Sequence, residues 1–525
     1  MTPASLNIFA SRLDAVCEEM GLVLRKAAFS PNIRDRLDFS CAVFDSDGEL
    51  CAQAAHIPVH LGSMAYAMKG IVSGIDWLPG DQLILNDPYL GGTHLPDVTV
   101  IAPVFAEARL RAFVVNRAHH ADIGAASPGS MPISSRLEQE GLVIAPVHLV
   151  RAGEFLPEVL QRVTHATRNR AESEGDFAAQ LAANRAGVTR LGELIARYGV
   201  GSFVEALGEL NNYAECLASE ALVDIPDGTY QFTDYLDDDG QGQRDIPIAV
   251  TLTVEERSVL ADFSGTAEQV EGNVNCPLAV AAAAVYYVFR CLMPPQTPAC
   301  AGAFRPISLH APEGCLLNAR KPAAVAAGNV ETSTRVVDVV LGALAQAIPG
   351  RVPAASHGSM NNLAMGSADA SEPWDYYETI GGGMGAGSMG GGLSGLQTHM
   401  TNTRNTPVEV LESRFPVRVL RYGLRFGSGG DGERSGGDGL VREYEFLAPA
   451  HYTLLTERRS HAPWGIAGGG DASPGVNLLN GKPLPAKCEG SVRAGDRLRV
   501  ETPGGGGWGS KRVQVRGRGP SSGAL

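Results

Sequence analysis

The sequence predicts an α+β protein of mixed, multi-domain architecture, with antiparallel sheets, long helices and a glycine-rich C-terminal part. Three observations predict it. Period-two apolar runs joined by short polar links recur at 39–53, 98–116 and 230–263, the pattern of hairpins and meanders. Apolar stripes of helical period run through 6–28, 175–198 and 202–221. At 525 residues the chain exceeds one ordinary core, so two or more domains are expected.

The first helix, 6–28, carries Leu6, Phe9, Leu13, Val16 and Met20 on one stripe, and Ser30-Pro31-Asn32 ends it. A hairpin follows: 39–44, the turn Asp45-Ser46-Asp47-Gly48, then 49–53. Its geometry gathers Arg36, Asp38 and His56 at one end, with His60 close behind. A second hairpin pairs 98–105 with 110–116 through Ala106-Glu107-Ala108-Arg109. Helices at 175–198 and 202–221 come next. A break near 222–227 opens a meander of strands at 230–236, 246–253 and 259–263. Stretches 278–292 and 332–348 read as buried helices, the first alanine-rich and apolar all round. From Ile380 the chain turns glycine-rich and irregular. Its 63 glycines are concentrated in the second half, which implies positive φ or close backbone approach. The expected domains are an α+β unit at 1–222 with a metal-type site, the meander and buried helices at 223–380, and a glycine-rich region at 381–511. Residues 512–525 read as a disordered tail.

Composition excludes several classes. With 57 Asp and Glu against 43 Lys and Arg, the formal charge of −14 argues against a nucleic-acid surface. No apolar run approaches membrane-spanning length and no secretory leader is recognised. Nine cysteines without a C-x-x-C pair read as reduced thiols, so a cytoplasmic enzyme is expected. No G-x-x-x-x-G-K-[ST] loop, no G-x-G-x-x-G set between a clear strand and helix, and no G-x-S-x-G elbow is present. The chain therefore offers no recognisable nucleotide site of its own.

The strongest motif surrounds the second hairpin: Asn86-Asp87-Pro88, then Gly91-Gly92-Thr93-His94-Leu95-Pro96-Asp97, and after the strands His119-His120-Ala121-Asp122. Antiparallel pairing sets Asp97 beside His119, with His94 and Asp87 on the loop feeding the same end. Imidazoles and carboxylates converging on one sheet edge suit a divalent transition metal or proton transfer. The bland alternative is a set of structural hydrogen bonds fixing a long loop. Five candidates in two segments that the hairpin unites, Asp87, His94, Asp97, His119 and His120, favour function. Adjacent strand residues face opposite ways, so one of His119 and His120 is expected to contact a metal. The other is left for substrate or a proton.

Three further segments stand out. Gly124 to Ser130 could wrap a small polar substrate or form an ordinary turn. Asp237-Asp238-Asp239-Gly240 tempts a calcium reading, but Ile248 stands where the bidentate Glu belongs, so a solvated turn is expected. Thr398-His399-Met400-Thr401-Asn402-Thr403-Arg404-Asn405-Thr406-Pro407 is dense in hydrogen-bonding groups and suggests a pocket or subunit contact.

The segments Arg34 to Cys41, His56 to Met64, Gly91 to Asp97, His119 to Gly124, Gly328 to Ser333, Thr398 to Pro407 and Pro503 to Gly509 together resemble the hydantoinase B/oxoprolinase family, in order and over nearly the whole chain. One departure is Ala125, where many relatives carry glycine. The resemblance implies the B-type subunit of an ATP-dependent N-methylhydantoinase or 5-oxoprolinase, a hydrolase that opens a small cyclic amide. An A-type partner would bind ATP and phosphorylate the amide oxygen in a hetero-oligomer. Water activated by a divalent metal (Mn, Zn, Mg or Fe) would then attack. On this reading Asp87, His94, Asp97 and His119 are the metal ligands, and His120 and Asp122 serve acid–base chemistry. Alternatives are an α-type subunit of a ketone carboxylase and a scaffold without chemistry.

Overall fold

The computed structural model describes residues 2–54, 57–368, 371 and 373–511. His56 and the tail at 512–525 lie outside the described residues.

The N-terminal third is built on a seven-stranded antiparallel sheet. Its strands are β1 (Phe39–Asp45), β2 (Leu50–Ala54), β3 (Gln82–Leu85), β4 (Asp97–Ala106), β5 (Arg109–His119), β6 (Val147–Arg151) and β7 (Glu154–Phe155), in the order β2-β1-β5-β4-β3-β6-β7. Both hairpins expected from the alternation are present. They are also joined to each other: β1 pairs with β5, setting Phe39 opposite Ala118. That long-range pairing decides the composition of the site.

Helices Pro3–Ala27 and Arg170–Tyr198 pack on the sheet, burying Phe9, Leu13 and Phe177. Polar residues on the inner face of the second helix bond to the strands. Gln180 donates to the Val98 carbonyl at 2.9 Å and Asn184 to that of Val100 at 3.0 Å, so their burial leaves these amide donors paired. Helix Val200–Leu222 follows after Gly199. Helix Pro58–Val72 packs against the buried helix Leu278–Leu292 at Gly62, where a Cβ would lie 2.5 Å from the Ala283 Cα.

The meander appears as strands Gly228–Asp238, Arg244–Glu255 and Ser258–Asp262. Sequence reasoning missed a fourth strand, Ile307–His310, which pairs parallel to the third. Helix Ser333–Ala347 lies on this sheet, preceded by a π turn at Gly328–Thr332. One apolar core runs from Leu6 through Phe263 to Leu344 without a break at 222–227.

The region after Ile380 is not irregular throughout. One four-stranded sheet joins Asp375–Glu378, Asn362–Ser367, Ala450–Leu455 and Lys487–Val492. A five-stranded sheet joins Val417–Arg425, Gly439–Phe446, Arg497–Glu501, Val476–Leu479 and Lys482–Leu484. They share a second core that includes Leu363, Tyr376, Tyr444, Phe446 and Leu498. Between them the glycine-rich segments stack backbone on backbone. Gly430 donates to Gly505 at 2.9 Å, Gly505 to Gly437 at 2.9 Å, and Gly437 to Met384 at 2.9 Å. A Cβ on Gly436 would fall 1.8 Å from the Gly505 oxygen, so no side chain fits.

Buried ions join this region to the meander. Arg458 reaches Asp234 at 2.8 Å and Asp338 at 2.5 Å, Arg335 reaches Glu457 at 3.2 Å, and Lys487 reaches Glu457 at 2.5 Å. Burial would raise Asp234, but Arg458 and Arg335 outweigh it and lower its pKa to about 2. No helix among the described residues is long and apolar enough to cross a membrane.

Candidate metal centre

At the joint end of β4 and β5, Asp97 and His119 are direct cross-strand partners. His94 arrives from the preceding loop, whose backbone turns back so that Asp97 N–H donates to the His94 carbonyl at 3.1 Å. Ligand atoms of His94, Asp97 and His119 all lie within 4.8 Å of one another, and all three residues are buried.

Surrounding groups fix each one. The Asp97 Oδ2 accepts from the Thr93 hydroxyl, lies 3.2 Å from His60 Nε2 and 3.4 Å from His94 Nε2, and accepts a long contact from Asn329 at 3.5 Å. His94 Nδ1 faces the Ala326 carbonyl at 3.3 Å. A carbonyl only accepts, so Nδ1 carries the hydrogen and Nε2 keeps its lone pair. Tyr377 stacks on His119 at 4.8 Å and 2°. Asp38 reaches His119 Nδ1 at 3.9 Å and Arg36 at 3.6 Å.

Within this triad three buried atoms make no hydrogen bond, His94 Nε2, Asp97 Oδ1 and His119 Nε2, although the first lies 3.4 Å from Asp97 Oδ2 and the second 3.5 Å from His119 Nδ1. Buried polar atoms are normally satisfied, so three orphans in one cluster need an explanation. Two imidazoles and a carboxylate are a donor set for a divalent transition metal. The residues present fit such an ion.

The electrostatics set the two imidazoles apart. Burial pulls the His94 pKa down, but the Asp97 charge and hydrogen bond, with Asp38 and Glu140 beyond, leave it raised. Burial pushes Asp97 up, yet His94, His60 and His119 hold it well below the usual carboxylate range. For His119 burial wins over Asp97 and Asp38, and the pKa falls. The site keeps one carboxylate charged and favours a neutral His119, the form that binds metals, whereas His94 holds its second proton more tightly and would have to give it up to an incoming ion.

Three expected roles need correction. Asp87 lies outside the cluster: it caps the turn Pro88–Leu90, accepting from Tyr89 N at 3.0 Å, and pairs with Lys321 at 2.8 Å. A short polar side chain before Pro reads equally well as a cap or a ligand, and here it caps. His120 faces the opposite side of the sheet, 2.9 Å from Gln180 Oε1, with its ring 4.5 Å from Phe177. Asp122 fastens the following loop, accepting from Gly124 N at 2.8 Å, Ser130 Oγ at 3.1 Å and Arg168 N at 2.6 Å. Neither faces the cluster, so acid–base work there does not fit them.

Sequence reasoning placed Asp38 and His60 beside the first hairpin but not in this cluster, and it gave no role to Thr93, Asn329 or Tyr377. The Asp237 segment is not the expected solvated turn: Asp237 and Asp238 end a strand, Asp237 and Asp239 are buried, and Asp239 Oδ1 accepts from Gln241 N at 2.8 Å and Gln243 N at 3.0 Å. Residues 402–408 line a pocket, as their polar density suggested.

A family model described as Hydantoinase B/oxoprolinase matches residues 2–511. A 5-oxoprolinase of Dictyostelium discoideum is 39% identical over 530 residues, covering 98% of this chain and 41% of the relative. The chain thus spans about two fifths of that enzyme's length. An uncharacterized protein of Methanocaldococcus jannaschii is 39% identical over 522 residues, covering 97% of this chain and 91% of its own. Among solved structures, an ATP-dependent caprolactamase from Pseudomonas jessenii superposes with a TM-score of 0.90 at 29% identity, covering 97% of this chain and 91% of that one. An acetone carboxylase shares the fold, with a TM-score of 0.86 at 18% identity over 97% of this chain and 76% of that one.

Proposed function

The chain belongs to the hydantoinase B/oxoprolinase family, and from that premise we propose that it is the B-type part of an ATP-dependent hydrolase of cyclic amides. The observation that carries the reading is the convergence of three donor atoms that make no hydrogen bond, on His94, Asp97 and His119, at one buried point. The names of its relatives, a 5-oxoprolinase and an ATP-dependent caprolactamase, support a cyclic amide as substrate. The Methanocaldococcus relative supports a unit of this length existing as its own chain.

A lactam carbonyl is resonance-stabilised and resists direct attack by water. In the proposed division of labour an A-type partner binds ATP and phosphorylates the amide oxygen, and this chain receives the activated ring. His94, Asp97 and His119 would hold a divalent metal, with Asp38 at the margin. Such an ion, when bound, polarises a carbonyl-type carbon and makes water a better nucleophile. The chain's own groups set the stage. Thr93 and His60 fix the Asp97 carboxylate, the Ala326 carbonyl fixes the His94 tautomer, and the Tyr377 ring fixes the plane of His119. The carboxylase alternative rests on shared fold alone, and hydrolysis is the better supported reading.

The test is co-production with an A-type subunit, followed by metal analysis and ATP-coupled ring opening of 5-oxoproline, hydantoin and caprolactam. His119→Ala and Asp97→Ala are expected to lose at least about 100-fold in activity, together with bound metal. Full activity and full metal content in both variants would sink the reading.

A further inference from the structure

Beside the cluster, and separate from it, lies a surface pocket of about 630 Å³, a volume suited to a small molecule. Its single charged lining residue is Arg404, with no carboxylate in the lining. The Arg404 side chain is exposed, and only its backbone N–H is engaged, donating to the Arg36 carbonyl at 2.9 Å. No ion pair neutralises its guanidinium among the described residues.

Tyr422 also lines the pocket, and its hydroxyl donates to Asn405 Oδ1 at 3.0 Å. Behind that ring, 4.0 Å from its centre, sits the buried Arg442 guanidinium. Its Nε is held by Glu378 at 3.3 Å and Tyr444 at 2.8 Å, but both terminal nitrogens lack a hydrogen-bond partner. Glu378 neutralises Arg442 in a buried ion pair, so Arg404 carries the pocket's unpaired positive charge.

An acceptor completes the set. The Gln397 Nε2 donates to the Thr379 carbonyl at 3.3 Å and to its hydroxyl at 3.2 Å. The carbonyl can only accept, which fixes the amide orientation and leaves Oε1 as the free end. That oxygen is buried and has no partner. Arg404 presents an unpaired guanidinium for an anion, and the Gln397 amide oxygen, on turning out of its buried position into the pocket it lines, would accept an N–H from the same ligand.

The pocket also borders the metal-type cluster. Leu37 lines it, while the next residue, Asp38, faces His119. From Thr403 the path runs through Thr379 at 2.6 Å to Arg36 at 3.4 Å, and from Arg36 to Asp38 at 3.6 Å.

We propose that this pocket is a recognition site for a small carboxylate that carries an N–H group, with Arg404 pairing the carboxylate and Gln397 Oε1 accepting the N–H. That its occupant is the cyclic amide or its ring-opened amino acid rests on the function proposed above.

The test is calorimetric titration of the full chain with L-5-oxoproline, L-glutamate and the neutral lactam 2-pyrrolidinone. Arg404→Ala is expected to weaken 5-oxoproline at least about ten-fold and leave 2-pyrrolidinone within about two-fold. Arg404→Lys should recover part of that loss, and Gln397→Leu should weaken both lactams. Because Arg404 is exposed, its variants should melt like the parent. Equal 5-oxoproline affinity in Arg404→Ala, or no binding of either carboxylate by the parent chain, overturns the site. If Arg404-dependent binding is found while no cyclic amide is opened with the partner present, the site stands and the proposed reaction falls. If 5-oxoproline is opened with unchanged KM in Arg404→Ala, the reaction stands and the site falls.

Discussion

Glu331 is fully buried two residues after Asn329 in the same π turn, and its carboxylate ties the cluster's surroundings together. Its Oε1 accepts from Asn362 Nδ2 at 2.6 Å, Asn362 Oδ1 accepts from the Tyr377 hydroxyl at 2.6 Å, and the Tyr377 ring lies on His119. Burial, and next the Glu457 charge, raise the Glu331 pKa from 4.5 to about 8, against Lys487, Ser359 and Arg459. The folded protein therefore binds this proton more tightly than the unfolded chain does. The stabilisation is complete below about pH 4.5 and is lost as pH rises toward about 8, at roughly 1.4 kcal/mol for each unit crossed. Glu331→Gln stays neutral, so its melting temperature should gain on the parent between pH 5 and pH 9. A difference that stays flat over that range would contradict the assignment. Residue by residue, the legible part of the centre was the local part. Asp97 and His119 are hairpin neighbours, and hairpin register follows from alternation and a short link. Asp38 and His60 enter only because β1 pairs with β5, and Asn329 and Tyr377 only through tertiary packing that no local pattern encodes.

At the scale of elements, the long amphipathic helices and the meander were plain because their periodicity is strong. The two C-terminal sheets were hidden by composition. Strand Asn362–Ser367 has the sequence Asn-Leu-Ala-Met-Gly-Ser, with little β-branched character, and it is a strand because its neighbours pair with it on both sides. Glycine there signals stacked backbones as well as turns. Gly436→Ala must force a Cβ against the Gly505 oxygen and should destabilise by about 3 kcal/mol. Gly423, on the open face of strand Val417–Arg425, has nothing within 4 Å of its added carbon. Gly423→Ala should change stability by about 0.5 kcal/mol or less in the same urea titration. Equal losses in the two variants would count against the stacked arrangement.

For the whole molecule, the two apolar cores meet across the C-terminal four-stranded sheet, which gives Ala364, Tyr377 and Leu455 to the first and Leu363, Tyr376 and Leu454 to the second, and a seam of buried ions runs beside it. Separating the cores would strip Arg458 of Asp234 and Asp338 and part Arg335 from Glu457, leaving Asp234 with Arg335 alone and Glu457 with Lys487 alone, and breaking a buried pair is expensive. Metal binding should act on the same global equilibrium. An ion that binds only the folded chain raises stability by about 2.7 kcal/mol at a hundred times its dissociation constant. Adding manganese or zinc should raise the melting temperature of the parent, a chelator should reverse the gain, and Asp97→Ala should respond to neither. A parent chain indifferent to every divalent ion would remove the metal from the account. The stacking of Tyr377 on His119 has a consequence in time as well as in space. Ribosomes deliver β4 and β5 long before residue 377, and domains begin to fold as they emerge. A growing chain therefore carries the complete donor set of His94, Asp97 and His119 with one side uncovered, and only the synthesis of the third quarter of the protein closes it.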